Sequence, residues 1–118
     1  MPRLFLIACS IALLSGCSPS SPKGFDSPDP LERARAGLEA AAANDRSRVP
    51  ELVELLQNDD AAARLAAIGG LRQLTGKDFA YDYASSQRSR WAAIERWQEW
   101  MKSDEGREFV GDREHGRE

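Results

Sequence analysis

Few side chains in this sequence have the chemistry of a reactive centre: among its 118 residues are two cysteines and one histidine. Cys9 lies inside an uncharged apolar run, and Cys17 closes that run behind the small residues Ser15 and Gly16. His115 stands beside Glu114 in a charged C-terminal stretch. A general base or a metal ligand needs a group that orients it, and a frayed tail provides none. Asp78 and Asp82, four residues apart, are a candidate carboxylate pair. Such a pair suits acid–base work or calcium, but in a loop the same residues order the backbone through their own side chains. No HExxH, G-x-S-x-G, glycine-rich phosphate loop or two-cysteine zinc pattern occurs. The sequence therefore predicts no catalytic residue, no metal site and no cofactor.

The chemistry that remains belongs to Cys17. Met1 to Arg3 is a short basic lead, and Leu4 to Leu14 is an uncharged stretch of signal-peptide length, too short to span a bilayer as a mature helix. Leu14-Ser15-Gly16-Cys17 then resembles the lipobox of bacterial lipoprotein precursors: an aliphatic residue, two small ones and cysteine. The resemblance implies a diacylglyceryl thioether on Cys17, cleavage before it and acylation of the new amino group. Each buried CH₂ contributes about 0.8 kcal/mol, so several acyl chains make a lasting membrane anchor. It also implies that the mature chain, having lost Cys9, forms no disulfide. Ser18 in place of aspartate implies the outer membrane over the inner where a cell has two.

Residues 1–16 thus read as a signal peptide and 17–28 as the lipidated cysteine with a flexible Ser/Pro tether, rich in the residues of unstructured linkers. Residues 104–118 alternate charges around three glycines, with Phe109 and Val110 as the only large apolar residues, and read as a disordered tail. The net charge is −3, and loss of Arg3 makes the processed chain more acidic, which argues against nucleic acid as partner.

Residues 29–103 read as all-α, with about four helices. Asp29 caps the first, Pro30 suits its first turn, and Asn44-Asp45 ends it. The second starts at Ser47 with Pro50 in its first turn, and Val49, Leu52, Val53 and Leu56 form one apolar face. Asn58-Asp59-Asp60 separates it from a third, which ends at Gly76. The fourth starts near Ser85 or Ser86 and reaches about Lys102. Short connections predict antiparallel hairpins.

Val49–Leu56, the acidic turn at Asp59 and Asp60, and Ala63-Arg64-Leu65-Ala66-Ala67-Ile68-Gly69-Gly70-Leu71-Arg72-Gln73-Leu74 together resemble one HEAT repeat. A weaker copy of its second helix runs from Ala34 to Ala42. The resemblance implies that Arg64 and the acidic turn tie neighbouring units together, and that the protein binds proteins. Arrays of this kind normally contain at least about three units, so the expected cap is the last helix, with Trp91, Ile94, Trp97, Trp100 and Met101 on one broad sector. Leu74-Thr75-Gly76 followed by Phe79-Ala80-Tyr81-Asp82 is similar to a loop of some bacterial HEAT-containing proteins, with Ala80 where that loop has glycine.

Two functional expectations follow. The first is a membrane-anchored, non-catalytic scaffold that engages another envelope protein, with self-association left open by the short array. The second is an envelope binding protein for a peptide or cell-wall glycan, using exposed Phe79, Tyr81, Tyr83 and Trp100. Burial of those aromatics argues against the second.

Overall fold

A computed structural model describes residues 23–111; the signal stretch, Leu14 to Cys17 and His115 lie outside the described residues. Among the described residues five α-helices follow one another: α1 (Pro30–Ala42), α2 (Val49–Leu55), α3 (Ala61–Thr75), α4 (Gln87–Lys102) and α5 (Asp104–Val110). Two 3₁₀ turns, Gly24–Asp26 and Arg46–Arg48, precede α1 and α2. The described residues contain no strand, and the all-α expectation holds.

The helix starts are set by single side chains. Asp29 Oδ1 accepts from the Leu31 amide at 2.9 Å, with Pro30 at the first helical position, where its missing N–H leaves no bond unmade. Asp60 Oδ1 accepts from the Ala62 and Ala63 amides at 2.7 and 3.1 Å. Ser86 Oγ accepts from Ser89 N at the head of α4. Gly76, at φ +71°, closes α3 in the left-handed conformation that glycine takes without a Cβ penalty. One start differs from expectation. Asp45, rather than Ser47, provides the cap, accepting from both the Ser47 amide and hydroxyl, and it caps a 3₁₀ turn from which α2 continues at Val49.

The apolar face expected on α2 is the centre of the core. Val49, Leu52, Val53 and Leu56 are all buried, beneath Ala67, Ile68 and Leu71 of α3 and Ile94 and Trp97 of α4. α1 and α3 lie side by side and parallel. A Cβ on Gly70 would stand 3.5 Å from the Gly37 carbonyl oxygen, and Gln73 Nε2 donates to the Ala41 carbonyl at 3.4 Å. Residues 37 and 41 therefore lie level with 70 and 73. The two helices sit over Leu52, and Gly37 has no room for more: a Cβ there would meet Leu52 Cδ2 at 2.5 Å.

Both ends of the folded unit extend beyond the expected boundaries. The stretch expected to be a tether already packs at Phe25, which is half-buried against the core, while buried Ser27 accepts from Asp29 N through Oγ and from Arg33 Nη1 through its carbonyl. The stretch expected to be a disordered tail forms α5 over its first seven residues. Ser103 caps α5 through the Gly106 amide, Asp104 and Glu105 occupy the first turn, and the Phe109 ring packs 5.5 Å from that of Trp100. Acidic residues at a helix start are favoured by its dipole, and the aromatic contact supplies the burial that a short helix lacks alone.

Candidate functional site

The loop between α3 and α4 holds most of the residues expected to bind. Its geometry is fixed from below by Arg64, whose residue is 8% exposed. Nη1 donates to the Asn58 and Asp59 carbonyls, each at 2.9 Å, while Nε and Nη2 both donate to the Tyr83 carbonyl, at 3.1 and 3.0 Å. The planar guanidinium thus bolts the α2–α3 turn to the α3–α4 loop. Arg64 does tie segments together, but through backbone carbonyls of the acidic turn rather than its carboxylates.

Above that anchor the aromatics turn inward. Tyr81 is 2% exposed, and its hydroxyl donates to the Leu56 carbonyl at 2.7 Å. Burial pushes its pKa above the ordinary tyrosine value, with the positive charges of Arg64 and Arg90 working against that shift. Trp97 is fully buried, with Phe79 edge-on at 4.7 Å and Trp100 edge-on at 5.8 Å. Trp100 is 7% exposed, and its indole N–H donates to Glu105 of α5. Tyr83 is half-buried against the same core. Phe79, Tyr81, Tyr83 and Trp100 are brought together as packing, with Tyr81 and Trp100 buried and Phe79 and Tyr83 partly exposed. Trp91 departs from expectation in the opposite sense. It belongs to the sector expected to cap the core, yet it is 44% exposed on the outer side of α4.

The aspartate pair does not converge on a common point. Asp78 Oδ1 accepts from Ala80 N and Asp82 Oδ1 accepts from Ala84 N, each at 2.9 Å, so each carboxylate orders its own turn. Asp78 also lies 3.5 Å from Arg72. No group of three or more His, Cys, Asp or Glu among the described residues is placed to hold a metal ion.

Two surface hollows flank Phe25. One, of 330 Å³, is bordered by Phe25, Arg33, Glu51 and Glu54; the other, of 640 Å³, shares Phe25 and both glutamates. Both open widely to solvent on a mixed-charge rim. Arg48 spans that rim, 5.4 Å from the centre of the Phe25 ring and 3.3 Å from Glu51.

The feature the sequence pattern left unremarked is a face. Four large apolar side chains are exposed among the described residues: Leu31, Leu38, Leu65 and Trp91. Three of them belong to α1 and α3. On a helix of 3.6 residues per turn, Leu31 and Leu38 share a stripe, about 120° and 100° round α1 from Gly37, the position that faces Leu52 of α2. Leu65 lies about 150° round α3 from Ala67, Leu71 and Leu74 by the same measure. The parallel register sets Leu65 abreast of Glu32. These leucines therefore share the outer face of the α1–α3 layer, on the side away from α2. The seven-residue spacing of Leu31 and Leu38 was the available signal, masked by the alanines between them.

Compared with family models, curated proteins and solved structures, the chain matches none of them. No helix of the described residues is long and apolar enough to cross a membrane.

Proposed function

We propose that this protein is a lipid-anchored, non-catalytic interaction module of the bacterial cell envelope, tethered through acyl chains on Cys17 and presenting a small helical surface to a protein partner. Leu14-Ser15-Gly16-Cys17 supports the anchor. The observation that supports the module is the outer face of the α1–α3 layer, where Leu31 is 55%, Leu38 49% and Leu65 46% exposed. Exposed leucines gathered on one face mark a contact surface, whereas single ones scattered over a protein do not. The parallel pairing of α1 with α3 supports a HEAT-like reading.

Burial of Tyr81 and Trp100 counts against the aromatic reading. Labelled palmitate tests the anchor. Incorporation into the full chain, abolished in Cys17→Ala together with signal cleavage, is the expected result. An unlabelled wild-type chain, or normal processing of the variant, overturns it. Crosslinking in native membranes followed by mass spectrometry tests the module, and recovery of cell-wall fragments without any protein counts against it.

A further inference from the structure

We propose that the occupant of the α1–α3 face is a second copy of this chain, an inference that rests on the interaction-module reading and names its partner. The charged residues bordering the leucines are Glu32, Arg35, Glu39 and Arg72, two acids and two bases. The face is therefore electrically neutral on a chain whose net charge is −3. Nothing on it attracts a strongly charged partner such as a basic peptide or an anionic lipid surface, and nothing repels its own copy.

The pattern is also self-complementary. When α1 meets the α1 of a two-fold-related copy antiparallel, with the axis between residues 34 and 35, Leu31 falls opposite Leu38 of the second copy, and the reverse. Arg35 then stands within one turn of Glu32 of the second copy. In the free chain Arg35 is 3.4 Å from its own Glu32, with both side chains exposed. The exchange replaces one exposed pair by another and adds the burial of the leucines. Ala62, Ala66 and Gly69 on α3 lack bulk, so the second layer approaches closely.

The size of the face sets the strength. α1 has 13 residues and α3 has 15, which at 1.5 Å per residue gives helices about 20 Å long. Two such helices cover a patch at the small end of specific interfaces, typical of transient contacts. Association is weak in dilute solution and is sustained by the high local concentration of a membrane surface.

The test places a photo-crosslinking amino acid at position 38 of the full-length chain in native membranes, with position 99 on α4 as control. The expected product is an adduct of twice the chain mass containing this chain alone, seen from position 38 and not from position 99. Leu31→Glu in the same chain reduces it by about tenfold or more. Arg35→Glu reduces it as well, by lining up three acids on each copy, and the double exchange Glu32→Arg with Arg35→Glu restores it. Circular dichroism checks that the variants fold; should Leu31→Glu fail to, the charge exchange decides by itself. An adduct with a different protein overturns self-association and leaves the interaction module standing. Absence of any protein adduct overturns both.

Discussion

Arg64 and Tyr83, nineteen residues apart, are joined by two hydrogen bonds from one guanidinium to one carbonyl oxygen, at 3.1 and 3.0 Å. The remaining nitrogen serves the Asn58 and Asp59 carbonyls. One buried side chain therefore satisfies three backbone acceptors in two loops, and the path of the α3–α4 loop depends on it. Buried carbonyls left without donors are costly, and a charged donor strengthens each bond.

Arg64→Ala is expected to destabilise the fold by about 3 kcal/mol or more, since it removes several charge-assisted bonds and orphans their acceptors. Arg64→Lys keeps the charge but loses the planar fork, and recovers less than half of that loss. Urea unfolding monitored by far-UV circular dichroism measures both. A loss below about 1 kcal/mol for the alanine variant would mean that the three carbonyls find other partners.

Tyr81 gives the protein an alkaline limit. Its folded-state pKa is raised above the usual value, chiefly by burial, so the folded state holds the phenolic proton more tightly than the unfolded chain does. Once pH exceeds the unfolded value of about 10, the unfolded state binds fewer protons than the folded state, and stability falls as pH climbs toward the folded pKa. Below that window the contribution is fully present. Tyr81→Phe is expected to lose about 1–2 kcal/mol at neutral pH, because the Leu56 carbonyl loses its donor. The variant also loses the steep part of the decline above pH 10. Parallel slopes for the two proteins in denaturation series across that range would contradict the assignment.

Phe79 and Ala80 adopt φ values of +53° and +61°, a conformation that costs a residue with a Cβ about 1 kcal/mol. Glycine occupies it freely, at the price of more entropy in the unfolded chain. Ala80→Gly is therefore expected to be neutral or stabilising by up to about 1 kcal/mol. Ala67→Gly, in the buried middle of α3, is expected to destabilise by at least about 1 kcal/mol. Thermal unfolding of the pair gives the comparison, and a clear loss for Ala80→Gly would show that its methyl group makes contacts worth more than the strain.

Much of this architecture is legible in the sequence because the deciding interactions are local. Asp29, Asp60, Ser86 and Gly76 delimit helices through contacts spanning four residues or fewer, and the Val49–Leu56 stripe has the period of its own helix. The misreadings share a cause: they concern long-range burial. Composition places Phe25 in a linker and Phe109 in a tail, yet Phe25 reaches the core and Phe109 packs on Trp100. The sector of α4 is broad enough to hold Trp91, but no neighbouring element covers that edge. The Ser103 cap followed by two acidic residues was a local signal for α5, outweighed by glycines at 106 and 111. As for the site, spacing alone did not separate a buried tyrosine from an exposed one; that depended on the Leu56 carbonyl twenty-five residues away.

The three tryptophans offer an optical check on that burial. Trp97 and Trp100 are enclosed and only Trp91 faces solvent. Acrylamide quenching is expected to resolve one accessible and two protected emitters, and Trp91→Phe to leave a blue-shifted, weakly quenched spectrum with unchanged helicity. Strong quenching in that variant would place Trp100 at the surface and revive an aromatic binding site.

Gly106 decides whether α5 docks. A Cβ at this position would lie 1.9 Å from the Trp100 carbonyl oxygen and 2.7 Å from its carbon, both backbone atoms that cannot swing aside. The close approach allows Ser103 to turn the chain sharply, Glu105 to accept the Trp100 indole N–H, and Phe109 to lie between Trp100 and the Arg46 guanidinium, 4.5 Å from its ring centre. Gly106→Ala is therefore expected to release α5 while α1 to α4 remain folded. Amides of residues 104–110 lose hydrogen-exchange protection, and Trp100 becomes accessible to quencher in a Trp91→Phe background. Global stability falls by about 2 kcal/mol, the value of one partly buried aromatic with its bonds. Retained protection across α5 would require the α4–α5 turn to open without cost, and would remove the close Trp100–Gly106 contact as the reason for glycine at this position.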